Sequence, residues 1–236
     1  MAIVTLSRQL GAGGYRVASG LAKALGLRIV DRETIDQAAL QAGVPKVALH
    51  ELGYEGRRGL MQRILDALRT SPAIPSTIEM QRRESDALLT VAPRGIFTPA
   101  KPLLSAAMED YVRIVGMVIL NMAKEGDVLI IGRASQVLLR DSPEALHIRI
   151  VAPLSHRVEK FMGLEKLTQR EARQRLLASD RARAEYLRRY YGVNWSDPQL
   201  YDIVINTGHI SIETAVQLAA LAQAQRLIPQ AQGADD

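Results

Sequence analysis

The 236-residue sequence contains no cysteine, which excludes a disulfide framework and any zinc site built on thiolates. Lysine is scarce, with six lysines against 24 arginines. No apolar run approaches the roughly 20 residues needed to span a bilayer. The nearest candidate, residues 112–123, is short and carries Arg113, so no membrane partner is expected. The opening residues, MAIVTLS, show neither a basic region ahead of an apolar stretch nor a small-residue cleavage site. No secretory leader is therefore expected, and a cytoplasmic location is. The four histidines, His50, His147, His156 and His209, fall at no ligand spacing, so no metal held by protein side chains is expected either.

What is present suits a folded α/β chain. A hydrophobic content of 47% is enough to fill a core. The net charge is +5, and the basic excess is carried by arginine, whose planar fork of donors matches phosphate and carboxylate. For the arginine total, codon bias is the preferred explanation, so only arginines placed beside phosphate-binding backbone carry functional meaning. Residues 2–7 (AIVTLS) form a β-rich run, broken at once by Gly11-Ala12-Gly13-Gly14. Val17, Leu21 and Leu25 then recur at helical steps up to Gly26. Residues 27–30 read as a second strand, and 33–41 as a helix with Asp31 as a candidate N-cap.

Three further runs have strand length: 127–131, 147–151 and 201–205. Helical patterns at 104–124, 153–162 and 211–227 separate or follow them. Five short strands alternating with helices predict a five-stranded parallel sheet covered on both faces, with ligands at the carboxyl ends of the strands. The proline-rich stretch 44–103, with one helical pattern at 60–68, fits an inserted segment within a single domain. Thr168-Gln169-Arg170-Glu171 is a capping box opening another helix, which ends in the turn-rich 192–198. Residues 228–236 fit a frayed tail.

The glycine loop meets the requirement for a phosphate cradle, because glycines let backbone N–H groups close around an anion at a helix N-terminus. Against the pattern G-x-x-x-x-G-K-[ST], with Gly13 at the sixth position, Arg8 replaces the first glycine, Gly14 the lysine and Tyr15 the hydroxyl residue. A glycine turn that merely packs a helix on a strand fits the motif as well.

Four segments taken in order resemble the cytidylate kinase-like family, within the nucleoside monophosphate kinases. They are Ser7-Arg8-Gln9-Leu10-Gly11-Ala12-Gly13-Gly14-Tyr15-Arg16-Val17-Ala18, then Leu25-Gly26 with Asp31-Arg32-Glu33, then Val128-Leu129-Ile130-Ile131-Gly132-Arg133-Ala134-Ser135. The fourth runs from Val151-Ala152-Pro153-Leu154 and Arg157 through Ser179-Asp180-Arg181-Ala182-Arg183, Tyr190-Tyr191-Gly192, Trp195 and Asp197-Pro198 to Asn206-Thr207.

The resemblance implies a kinase using ATP and Mg²⁺ with a pyrimidine monophosphate acceptor, and an arginine-rich lid over 157–200. It places the nucleotide phosphates at Ser7, Gly11, Ala12, Gly13, Gly14 and Tyr15, and the acceptor at Asp31, Arg32 and Arg133. Arg8 and Arg16 become candidates to replace the missing lysine, and Arg157, Arg181 and Arg183 become lid candidates. Each has an ordinary alternative: an ion pair of Arg133 with Asp31 or Asp127, a cap for Asp31, a buried hydroxyl for Ser7. Helical geometry puts Arg181, Glu185 and Arg188 on one face and turns Arg183 away. Convergence of Arg181 and Arg183 on one phosphate therefore requires a break in the helix. Tyr186, Tyr190 and Trp195 are expected to staple the lid to its own turn rather than stack a base. A non-catalytic nucleotide binder of the same fold remains a second reading. A nucleic-acid partner is disfavoured, because no basic stripe interleaved with aromatics is present.

Overall fold

A computed structural model describes residues 1–44 and 101–226, with side chains in the second stretch from residue 108. The insert expected at 44–103 lies, apart from its ends, outside the described residues, as do the helical pattern at 60–68 and the tail at 228–236.

Five strands form one parallel sheet in the order β2-β3-β1-β4-β5. They are β1 (Ile3–Arg8), β2 (Arg28–Val30), β3 (Val128–Ile131), β4 (Ala145–Val151) and β5 (Ile203–Asn206). β4 begins earlier than its apolar run suggested. Asp202 falls just before β5 and is already tied to β4: its N–H reaches the His147 carbonyl at 2.8 Å and its carboxylate accepts from the His147 N–H at 2.7 Å. The helices are α1 (Gly14–Leu25), α2 (Arg32–Gln41), α3 (Lys101–Lys124), α4 (Ser135–Leu138), α5 (Leu154–Glu165), α6 (Gln169–Tyr191) and α7 (Ile212–Arg226). None of them is long and apolar enough to cross a membrane.

Alternation along the strands sorts the two faces. Val4, Leu6, Leu129, Ile131, Leu146, Ile148 and Ile150 pack beneath α1 and α7, through Val17, Leu21, Ala215 and Ala219. Ile3, Val30, Val128, Ile130 and Ala145 face α2 and α3, through Ile35, Ala39, Val115 and Ile119. This second face turns polar toward the carboxyl ends, where Thr5 pairs with His147 and Ser7 with Arg149 in the β1–β4 register. β1 leads past β3 to β2, whereas β3 leads past β1 to β4. Connections leaving neighbouring strands in opposite directions open a crevice at their carboxyl ends, the usual ligand position in such sheets.

α6 starts at the predicted capping box. The Thr168 hydroxyl accepts from the Glu171 N–H at 3.3 Å, and the Glu171 carboxylate accepts from the Thr168 N–H at 2.9 Å. The helix ends at Gly192, whose φ of 69° an L side chain rarely adopts. Between these caps it runs unbroken. The break expected near Arg181 and Arg183 is therefore absent, and a continuous helix keeps those two side chains on different faces.

Candidate functional site

A cavity of about 90 Å³ opens at the carboxyl edge of β1 and β3, lined in part by Ser7, Gly132, Gln136, Tyr186 and Trp195. That is several times the roughly 10–15 Å³ one water needs. Four arginines from four places in the chain also line it: Arg8 at the end of β1, Arg32 at the start of α2, Arg133 after β3 and Arg183 on α6. No aspartate or glutamate is among its described lining residues.

Each arginine is placed by its neighbours, Arg183 by donating to the Ser179 hydroxyl one turn back on α6. Arg8 lies over Gly14: a Cβ built on Gly14 would stand 2.5 Å from the Arg8 Cβ and 2.8 Å from its Cγ. Its guanidinium then crosses toward β3, where a Cβ on Gly132 would come within 2.7 Å of Nη1. Arg133 is held by three successive left-handed residues, with φ 76° at Gly132, 56° at Arg133 and 58° at Ala134. For a residue with a side chain that conformation costs about 1–2 kcal/mol. Arg133 forms an ion pair with Asp36, neither with Asp31 nor with Asp127 as weighed from the sequence. The same carboxylate takes Arg32 Nε at 3.3 Å. Asp36, one turn into α2, thus fixes two cavity arginines from behind. Asp31 caps α2, accepting from the Thr34 N–H and hydroxyl, each at 3.0 Å.

Ser7 is buried and accepts from Trp195 Nε1 at 2.8 Å. Trp195 is in turn covered by Arg149, whose guanidinium lies 4.5 Å from the indole centroid and 5.3 Å from the Tyr201 ring and donates to the Trp195 carbonyl. Burial pushes the Tyr201 phenol above its ordinary range. Trp195 is therefore fastened to β1 and β4 as well as to Leu187 of α6. Tyr186, Tyr190 and Tyr191 pack against the core of α2, α3, β2 and β3. The expected staple is present in Trp195, which packs with Leu187 and Val193, but these aromatics also bind α6 to the body of the fold.

The glycine loop is closely packed. A Cβ on Gly11 would meet Leu176 Cδ2 at 3.2 Å and Arg157 Cβ at 3.3 Å, and one on Gly13 would meet Ile212 Cδ1 at 2.8 Å. Ala12 is buried, with its carbonyl accepting from the Thr207 hydroxyl at 2.7 Å. Among the described residues, the N–H groups of Gly13, Gly14, Tyr15 and Arg16 at the start of α1 find no acceptor, as at any helix N-terminus awaiting an anion or water.

The remaining candidates fall elsewhere. Arg16 is exposed, outside the cavity lining, close enough to Glu213 to help hold that carboxyl below its usual range, after that residue's own hydrogen bonds. Tyr15 is 59% exposed. Arg157 is buried and spans three acceptors: the Ala152 carbonyl at 3.0 Å, the Leu10 carbonyl at 3.2 Å and Asp180 at 2.8 Å. It straps the glycine loop to α6. Arg181 is exposed, on a shallow groove with Glu185 and Arg188, on the face the helical spacing assigned it. The described residues contain no cluster of three acidic or histidine side chains able to hold a metal.

Sequence reasoning passed over Asp36, Gln136 and Arg149. Arg149 had a legible signal, a charged residue between two isoleucines in a strand buried on both faces.

Over 108 residues the chain is 33% identical to a uronate isomerase of Corynebacterium glutamicum, a match covering 46% of this chain and 21% of that protein. Over 97 residues it is 30% identical to a cytidylate kinase of Methanopyrus kandleri, covering 38% of this chain and 50% of that one. The matches thus span at most half the length of these relatives. A solved structure of an uncharacterized protein from Eubacterium ventriosum shares the fold with a TM-score of 0.63 at 18% identity, covering 95% of this chain and 98% of that one. Residues 3–209 match the cytidylate kinase-like family as a whole, and with the β-α-β start, the glycine loop and the arginine-lined crevice all inside that span, the chain belongs to this family.

Proposed function

We propose that the chain is a nucleotide kinase that moves the γ-phosphoryl group of ATP to a pyrimidine nucleoside monophosphate, CMP or dCMP. The observation that carries this reading is the meeting of Arg8, Arg32, Arg133 and Arg183 in one cavity. Four arginines converging on one cavity suit a doubly charged phosphate monoester. The pyrimidine preference rests on the family and on the cytidylate kinase relative.

The residues fit a polyphosphate in two respects. The four N–H groups opening α1 are free to donate to it, and Arg8, whose stem lies over Gly14 where the P-loop pattern has lysine, extends a cation from there toward Gly132. Bound Mg²⁺-ATP would supply the phosphoryl group and a leaving group whose charge the metal offsets. The metal would be held by the phosphates, since the described residues offer it no acidic cluster and the nearby Ser7 oxygen already accepts from Trp195. Arg133, backed by Asp36, would bind the acceptor phosphate and Arg32 would flank it. Arg183 would reach the site from α6 and balance charge as the phosphoryl group passes. Trp195 and Leu187 would keep water from that side.

One observation favours the alternative of a nucleotide binder without turnover. The space beside Gly11, Gly13 and Gly14 is taken by Leu176, Ile212 and Arg8 of this same chain. Coupled ADP release from Mg²⁺-ATP with CMP, dCMP, UMP and AMP distinguishes the two. Turnover greatest with CMP or dCMP supports the kinase reading, and nucleotide binding by calorimetry with no ADP release from any acceptor supports the alternative.

A further inference from the structure

Arg149 is a buried cation that the arginine cavity does not include. It stands in β4 between Ile148 and Ile150, is 6% exposed, and pairs with no carboxylate among the described residues. Its Nε is buried without a hydrogen-bond partner. An apolar side chain at such a position is often at least as stabilising as a charge, so stability alone does not account for a guanidinium here.

Its contacts converge on Trp195. The guanidinium lies over the indole and donates to the Trp195 carbonyl, which also accepts from the Tyr201 hydroxyl at 2.9 Å. Trp195 belongs to the turn after α6, outside any helix or strand, so no regular backbone ladder fixes it. The indole N–H goes to Ser7, the register partner of Arg149 on β1. Ring face, carbonyl and N–H are thus all held by β1, β4 and Tyr201. Trp195 and Ser7 line the arginine cavity, whereas Arg149 does not.

We propose that Arg149 is a positioning residue, whose guanidinium stacks on the Trp195 indole and holds that ring as a wall of the cavity. The inference rests on the reading of the cavity as a nucleotide site and adds to it a residue that touches no ligand. Affinity then depends on the planar stack and is transmitted through Trp195.

Arg149→Met fills the space without the charge or the planar fork, Trp195→Phe keeps a ring and removes the N–H, and the double variant closes a cycle. The readouts are calorimetric titration of the full chain and each variant with CMP, urea unfolding, and acrylamide quenching of Trp195, the single tryptophan of the chain. In Arg149→Met, CMP affinity is expected to fall about tenfold and Trp195 to be quenched more readily, with a urea midpoint equal to or above that of the parent. The double variant is expected to bind no more weakly than the weaker single variant. Arg149→Lys, which keeps the charge and loses the fork, should recover only part of the affinity, and it carries the same cycle if Arg149→Met does not fold. Unchanged CMP affinity in Arg149→Met overturns the inference and leaves the cavity assignment standing. Additive losses in the cycle, or full recovery by Arg149→Lys, also overturn it. If the parent chain binds neither CMP nor inorganic phosphate, the cavity assignment fails and the inference falls with it.

Discussion

The Arg8 side chain occupies the space that a side chain on Gly14 would need, with 2.5 Å between the Arg8 Cβ and the position of a Gly14 Cβ. Arginine at the end of β1 and glycine at the first position of α1 are thus a matched pair. The clash involves Cβ, which cannot swing away as a guanidinium can.

Gly14→Ala is accordingly expected to destabilise the fold by about 1–3 kcal/mol, the range for overpacking a filled site. Gly14→Lys, which restores the P-loop lysine, is expected to lower stability at least as much and to give no gain in ADP release. Denaturant unfolding of Gly14→Ala alone and with Arg8→Gly tests the pairing. Strong favourable coupling is predicted, and simple additivity of the two changes would contradict it.

Arg157 is expected to act on stability before activity. Its side chain is 4% exposed and paired with Asp180, and it holds the carbonyls of Leu10 and Ala152. Arg157→Ala leaves the Asp180 carboxylate without its partner, a loss that typically costs about 3–5 kcal/mol. Asp180→Asn, which keeps an acceptor, should cost less. A urea midpoint of Arg157→Ala within error of the parent would show that the strap is dispensable.

His147 gives the fold a pH dependence with a defined sign. Burial holds its pKa below the ordinary histidine value, partly opposed by Asp202, and its Nδ1 lies 2.7 Å from the Thr5 hydroxyl. The unfolded chain takes up a proton at about pH 6.5, where the native state does not. This contribution is complete above that pH and is lost as pH falls from there toward the lowered native value. Urea unfolding between pH 7.5 and 5.5 should show stability falling with pH, with a smaller slope in His147→Gln. An equal slope in the variant would assign the dependence to other groups.

What could be read from the sequence was local, and what could not was long-range. Asp31 as a cap, the Thr168–Glu171 box and the glycine stops at Gly26 and Gly192 are each decided within a few residues. So is the separation of Arg181 from Arg183, which follows from helical geometry once the helix is continuous. Asp36 meets Arg133 across 97 positions, and Trp195 meets Ser7 across 188. No periodicity reports such partners. The expected helix break came from requiring both arginines at one phosphate. In the structure Arg183 alone of the two lines the cavity, with Arg8, Arg32 and Arg133.

Arg181 and Arg183 also supply the most direct test of the central claim, that the four-arginine cavity is the working site of a kinase. They share a helix and a charge and stand two residues apart, one outside the cavity and one in it. Steady-state ADP release with Mg²⁺-ATP and CMP is predicted to show kcat/KM falling about 10- to 100-fold in Arg183→Ala, the worth of a hydrogen bond to a charged group. Arg181→Ala is predicted to stay close to the parent. Equal effects of the two substitutions, or no ADP release by the parent chain with any acceptor, would contradict the account.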